Sequence, residues 1–241
     1  MERVYVDALR AGLSFFTTLR MGGDFEDLTN NLYIMPVIGA IIGVLVGVMG
    51  FPLFMLNLGM LAFIVYAGIE GVNHIDGLAD FFDSLFAPPE KKIKALKDLN
   101  IGTGGVIAVA SYAVFLIALF GQMDFKTYLL SMVLGQVLAK QGMLHLMLSE
   151  KPLWEGMVSE FTRNRKRRDW ISYVLTLFIS GILMLFDLLS VVVSLMVYAV
   201  LLVLFQKYLR RRYGGINGDM VGALNCLILL SVVIVWASLQ L

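Results

Sequence analysis

The chain has 241 residues, 59% of them hydrophobic and only 15% charged, with a mean hydropathy of +0.83. Soluble domains average about 45–50% apolar and about 25% charged residues, so this composition excludes an ordinary soluble fold and predicts a polytopic all-α membrane protein with one integral-membrane domain over 1–241. The formal charge of +1 identifies no partner and no nucleic acid is expected, while the lone Cys226 excludes a disulfide framework and any Cys-based metal site.

Residues 3–20 place Tyr5, Leu9, Leu13 and Phe16 on one helical side and Arg3, Asp7, Arg10, Ser14 and Thr17 on the other. That pattern predicts an amphipathic helix lying in the membrane interface. Arg3, Asp7 and Arg10 interrupt what would be the apolar core of a cleavable signal, so this helix is expected to be retained. A polar connection over 22–31 leads to membrane-spanning segments expected at 32–56, 58–73, 102–121, 127–149, 170–186, 188–206 and 219–241. About seven spans result, or six if only Asp187 marks a bend between the fifth and sixth. Gly39, Gly43 and Gly47 recur every fourth residue in the first span, a spacing that permits close helix approach in lipid.

Lys and Arg set the orientation. Apart from Lys126 and Lys140, every basic residue falls in the first helix or in the loops after the second, fourth and sixth spans. The positive-inside rule then predicts N-in, C-out. It also gathers Asp76, Asp80, Asp83, Asp98 and Asp219 at or beside cytoplasmic helix ends, so any site built from them would face the cytoplasm.

Within EGVNHIDGLADFFD (70–83), Asp76, Asp80 and Asp83 are spaced by four and three residues, which brings them within roughly 60° on a helix turning about 100° per residue. Like charges so placed repel, and a cation is expected to hold them. Carboxylate oxygens suit Mg²⁺ or Mn²⁺, and Mg²⁺ commonly joins one or two carboxylates to phosphate oxygens. His74 reads as a general base, a metal ligand or a satisfied polar residue, with ligation the weakest of the three. Glu70 lies about 120° off the acidic stripe and qualifies only through burial. Two Gly-rich turns follow: Asn100-Ile101-Gly102-Thr103-Gly104-Gly105 after Lys97-Asp98, and Gly214-Gly215-Ile216-Asn217-Gly218-Asp219. Their free N–H groups suit anions; read alone, they are equally a loop and a helix cap. His145 and Lys140 in the fourth span favour bonds between helices, and the basic run Arg163–Arg168 reads first as a topology signal.

The segments HIDGLADFFDSLF, LKDLNIGTGGV and YGGINGDMVGA, with LSFFTTL (13–19) and MPVIGAIIG (35–43), resemble the cobalamin synthase (adenosylcobinamide-GDP ribazoletransferase) family along nearly the whole chain. His74, Asp76, Gly77, Asp80, Asp83, Asp98, Gly102, Thr103, Gly215, Gly218 and Asp219 match its motifs; Ser84, Lys97, Asn100 and Asn217 depart from them, and Asn100 replaces an arginine. The resemblance implies attack of the 5′-hydroxyl of α-ribazole, or of its 5′-phosphate, on adenosylcobinamide-GDP with release of GMP, in the last steps of cobalamin biosynthesis, with Mg²⁺ as cofactor. It implies a metal site of Asp76, Asp80, Asp83 and Asp98. It implies catalytic roles for Asp76, Asp80, Asp83 and His74, with the proton acceptor open among Asp80, Asp83 and His74. Lys97, Gly102, Thr103, Asn217 and Asp219 are then the substrate- and phosphate-binding candidates. The implied partners are the corrinoid nucleotide, α-ribazole and the lipid bilayer, with homo-oligomerisation open and a multi-pass location in the cell membrane. Alternatives are a CDP-alcohol or lipid phosphotransferase, whose metal motif Asn73-x-x-Asp76-Gly77 matches only in its first half, a cation-coupled transporter, and a scaffold for other corrinoid enzymes.

Overall fold

The structure, a computed structural model, describes residues 2–98 and 100–240, with side chains from Val4 onward. The polar placement expected of the Arg3 side chain, and Leu241 at the end of the last expected span, lie outside the described residues. Twelve α-helices occur among the described residues: α1 (Glu2–Phe16), α2 (Phe25–Thr29), α3 (Met35–Met55), α4 (Ala62–Glu70), α5 (Asn73–Phe86), α6 (Lys92–Ala95), α7 (Thr103–Gln122), α8 (Phe125–Ser149), α9 (Met157–Asn164), α10 (Ile171–Met184), α11 (Leu188–Arg212) and α12 (Gly218–Gln240).

Among the described residues, four segments are long and apolar enough to cross a membrane: Leu32–Met55, Thr103–Gln122, Leu188–Arg212 and Gly218–Gln240. Gly59–Glu70 is apolar but shorter, as its expected span is. The fifth and sixth expected spans are separate helices. Asp187 caps the second of them, its carboxylate accepting the Ser190 N–H at 3.0 Å, which leaves the orphan amides of a helix start satisfied.

The long helix α8 is the centre of the bundle, buried from Tyr128 to Leu148 with two partial breaks at Leu129 and His145. It tolerates this burial while carrying Gln136, Lys140 and Gln141 because each finds a side-chain partner, a requirement inside a low-dielectric core. The glycine stripe of α3 lies against it. A methyl group on Gly43 would come 2.5 Å from Val133 Cα and 2.7 Å from the Met132 carbonyl oxygen. Backbone-to-backbone packing of this kind replaces the hydrophobic drive that lipid cannot supply.

Helix α1 is amphipathic as expected, with Ala8, Ala11 and Phe16 buried and Leu9 and Leu13 packed at the core's edge, although Tyr5 is exposed. It ends at Phe16 instead of continuing to residue 20 because the chain turns to dock on the end of α4. The Thr18 amide donates to the Ile69 carbonyl at 2.8 Å and the Thr18 hydroxyl to that of Gly68 at 2.7 Å. Those are orphan carbonyls of a helix C-terminus. Gly71 then takes φ = +81°, a conformation that favours glycine, and the acidic stretch begins a new helix, α5, in place of prolonging α4.

Substituting Gly43→Ala is expected to force α3 away from α8 and lower stability by about 1–3 kcal/mol. Gly181→Ala, where an added methyl meets nothing within 4 Å, is expected to be neutral or slightly stabilising. Unfolding of both variants in detergent, followed by circular dichroism, checks this.

Candidate functional site

Helix α5 rests on the start of α12, and glycines on both sides set the distance. A methyl group on Gly77 would lie 3.0 Å from the Cα and carbonyl oxygen of Asp219, and one on Gly222 would lie 3.3 Å from His74 Cα. The glycine beside Asp76 thus serves approach of a second helix. Ahead of α12, Asn217 acts as its cap: the Asn217 Oδ1 accepts the Met220 N–H at 3.1 Å while its Nδ2 donates to Asp219 Oδ2 at 2.5 Å. The turn containing both is anchored to the segment after α8 by a parallel bridge between Pro152 and Ile216, in which the Leu153 N–H donates to the Ile216 carbonyl at 2.8 Å and the Ile216 N–H to that of Lys151 at 2.9 Å. Asp219, more than 130 residues from α5 in sequence, is thereby brought to the acidic stripe.

The other Gly-rich turn binds an anion, and that anion is internal. Asp83 Oδ2 accepts the Gly102 N–H at 2.6 Å and its Oδ1 accepts the Gly105 N–H at 2.8 Å. A carboxylate in this position satisfies the orphan amides at the start of α7 and meets the positive end of its dipole. The glycines are needed for contact, since a methyl on Gly102 or Gly105 would lie 2.5 or 2.6 Å from an Asp83 oxygen. Asp83, expected as a metal ligand or base, therefore ties α5 to α7. Thr103 is exposed at the first turn of α7, and Lys97 lies over the Trp154 ring with its ammonium 4.7 Å from the centroid, a cation–π contact. Asp98 accepts both the backbone and side-chain N–H of Asn100, at 3.1 and 2.9 Å, ordering the turn where the resemblance would place an arginine.

Beneath the stripe lies a buried polar cluster. Lys140 Nζ donates to Glu70 Oε1 at 2.5 Å and to Asn225 Oδ1 at 2.8 Å; Gln136 Nε2 donates to Glu70 Oε2 at 2.7 Å; Asn225 Nδ2 donates to Glu70 Oε1 at 3.1 Å. The Lys140 and Glu70 side chains are 0% and 1% exposed, so each charge depends on the other and on the two amides. His74 Nε2 stands 3.6 Å from Glu70 Oε1 and joins this cluster to the surface acids. A cavity of about 490 Å³ opens over the assembly, with Glu70, Asn73, His74, Asp76 and Asp219 along one part and Phe16, Met147 and Phe161 among the residues along another.

The field at the stripe is strongly negative. Burial, and then the charges of Asp219, Asp76 and Asp83, push the Asp80 carboxyl up to about 6. Burial, and then the Lys140 ammonium, push His74 down to about 4 against the opposing pull of Glu70, so the imidazole is neutral at physiological pH. Among the described residues no three His, Cys, Asp or Glu side chains converge tightly enough to form a complete protein metal site. Asp76, Asp80 and Asp219 instead form a loose anionic rim at the α5–α12 crossing. That donor set fits a hard cation sharing its coordination with phosphate oxygens and water.

Of the residues singled out from sequence, the structure brings Asp76, Asp80, Asp83, His74, Asn217 and Asp219 together and assigns Asp83 to the α7 amides. Glu70 and Lys140 are opposite charges inside apolar segments, and that is the sequence signal that they pair. Asn225 and the wall of the cavity carried no such signal.

Two predictions follow from these contacts. Lys140→Met leaves the Glu70 carboxylate buried without its cation and is expected to cost about 3–5 kcal/mol in detergent unfolding, with the double variant carrying Glu70→Leu recovering much of it. For Asp80 the folded-state pKa lies above the unfolded one, so ionisation opposes folding: the cation-free protein should lose stability as pH rises from about 4 through about 6 and level off above. Asp80→Asn should remove that part of the pH dependence.

A family model described as cobalamin-5-phosphate synthase matches residues 8–237. The chain is 41% identical to an adenosylcobinamide-GDP ribazoletransferase of Archaeoglobus fulgidus over 226 residues, covering 92% of this chain and 93% of that protein. It is 38% identical to another from the same organism, covering 92% and 93%, and 30% identical to one from Methanocella arvoryzae, covering 91% of each. No solved structure matches.

Proposed function

The chain belongs to the cobalamin-5-phosphate synthase family, and from that premise we propose that it is an adenosylcobinamide-GDP ribazoletransferase. In this reading a free ribose hydroxyl of α-ribazole, or of its 5′-phosphate form, attacks the cobinamide-bearing phosphorus of adenosylcobinamide-GDP; the new P–O bond forms, the pyrophosphate bridge breaks, and GMP leaves. The observation that carries it is that Asp76 and Asp219 line a cavity with Asp80 in their field, where a pyrophosphate needs charge neutralisation and an acceptor needs a place to sit.

Asp76, Asp80 and Asp219 would hold Mg²⁺, with the asparagine amide of Asn217 fixing the Asp219 carboxylate. Bound there, the cation supplies charge neutralisation and alignment of phosphate oxygens. The protein's own part is positional. Asp83 locks α5 to α7, Asp98 orders the turn before α7, and the α5–α12 contact keeps the acids on one rim. The acceptor's proton has two receivers at the site, the Asp80 carboxylate and the neutral His74 imidazole, since both Asp83 oxygens already accept backbone amides.

The clustering of basic residues, read by the positive-inside rule, supports a site that faces the cytoplasm in the cell membrane, with the N-terminus inside. A large, soluble corrinoid nucleotide would reach it from that side without entering lipid.

Purified protein given adenosylcobinamide-GDP, α-ribazole and Mg²⁺ is expected to release GMP, and omission of the metal to stop it. Asp76→Ala should lower turnover by at least about 1,000-fold while leaving the protein monodisperse in detergent. Near-wild-type release by Asp76→Ala would sink the metal assignment; release of CMP from CDP-diacylglycerol in place of GMP would sink the substrate.

A further inference from the structure

The cavity at the site has two chemically different walls. One is ionic and hydrogen-bonding, with Asp76, Asp219 and His74; the other is built from Phe15, Phe16, Phe161, Met143, Met147 and Met157. The apolar wall is assembled from three elements: the end of α1, the C-terminal part of α8 and residues 157–161 of α9. Its rings are interlocked. Phe15 meets Phe16 edge-on at 4.8 Å and Phe161 at 5.5 Å between centroids, and Phe25 braces Phe161 at 5.2 Å. Edge-to-face packing holds such rings in place, and the unbranched thioethers of methionine fill round whatever lies between them.

Size and polarity decide what such a space accepts. At about 490 Å³ it is in the range of roughly 300–1,000 Å³ that encloses a drug-sized ligand. A nucleoside fits; a corrinoid nucleotide, several times larger, does not. Among nucleosides the apolar wall discriminates by hydrogen bonding. Guanine carries donors and acceptors along its edge, and burying them against Phe and Met side chains leaves them without partners, which weakens binding. A fused aromatic base with hydrocarbon edges loses nothing there and gains ring contacts.

We infer that the cavity is the acceptor subsite, in which Phe161, Met147 and Met157 grip the flat, apolar base of the acceptor nucleoside while its ribose points toward Asp76 and His74. The guanine and corrin portions of the donor then stay outside, on the exposed side of the acidic rim. This inference rests on the proposed ribazoletransferase activity for the identity of the acceptor. It adds specificity-determining residues outside the Asp- and Gly-containing motifs. The arrangement also explains why α1, an amphipathic helix at the edge of the bundle, ends against α4: docking there presents Phe15 and Phe16 to the cavity.

The test separates the two substrates. Met157→Ala alters a residue that is 57% exposed, and Phe161→Leu keeps apolar volume, so neither is expected to unfold the protein. Each should raise the KM for α-ribazole about tenfold, with the KM for adenosylcobinamide-GDP and kcat within about twofold of wild type. Calorimetric titration of α-ribazole alone into the purified protein should show binding that Met157→Ala weakens to the same degree, and guanosine should not compete. An equal rise in both KM values, a rise confined to the corrinoid, or competition by guanosine overturns the inference. If wild type releases no GMP, the proposed activity fails, yet the titration still decides whether the cavity takes an apolar-base nucleoside.

Discussion

The site depends on how near α5 comes to the first turn of α12. At Gly77 and Gly222 the two helices are in backbone contact, and a methyl group at either would crowd the facing backbone at 3.0 and 3.3 Å. This contact is what puts the Asp219 carboxylate into the field of Asp76 and Asp80. Three acids so crowded are held in that position by packing elsewhere in the bundle, principally α12 and α3 against α8. Burial first, and then the like charges, raise the proton affinity of Asp80. A stable bundle is thus used to hold an unfavourable surface open for a cation, the usual relation between scaffold and site.

Under that surface the Glu70–Lys140 pair does a different job. It places one compensated charge pair within the core, joined by Gln136 and Asn225, so that three helices, α4, α8 and α12, share one hydrogen-bonded centre, with His74 of α5 standing 3.6 Å from Glu70. A buried ion pair seldom adds net stability over apolar packing, but a satisfied one restricts the relative positions of the elements that carry it. The restriction matters here because the acids above must meet a bound phosphate group within fractions of an ångström. Burial, and then the Lys140 ammonium of this cluster, keep His74 neutral.

Glycine-rich turns illustrate how one local pattern supports different uses. Both turns precede helices and both offer free amides. The turn before α7 is filled by Asp83 from within the chain, which converts an anion site into a clamp between α5 and α7. The turn before α12 is capped by its own Asn217, and that leaves Asp219 displayed at the rim. The chemistry available at a helix start is general, and neighbouring side chains determine who uses it.

The sequence by itself determined a good deal. Hydropathy marked the apolar helices, the four-residue glycine repeat marked a close helix contact, and the i, i+4, i+7 spacing of Asp76, Asp80 and Asp83 put three acids on one side of a helix, because all of these are local periodicities of a regular backbone. The family motifs singled out His74, Asp76, Asp80 and Asp219, which the structure brings to one crossing of α5 and α12. Only the tertiary structure decided that Asp83 turns to the α7 amides, that Glu70 pairs with Lys140 seventy residues away, and that α1, α8 and α9 close an apolar wall over the acids. Each of those depends on which distant surfaces meet, and helical period carries no information about a partner that lies elsewhere in the chain.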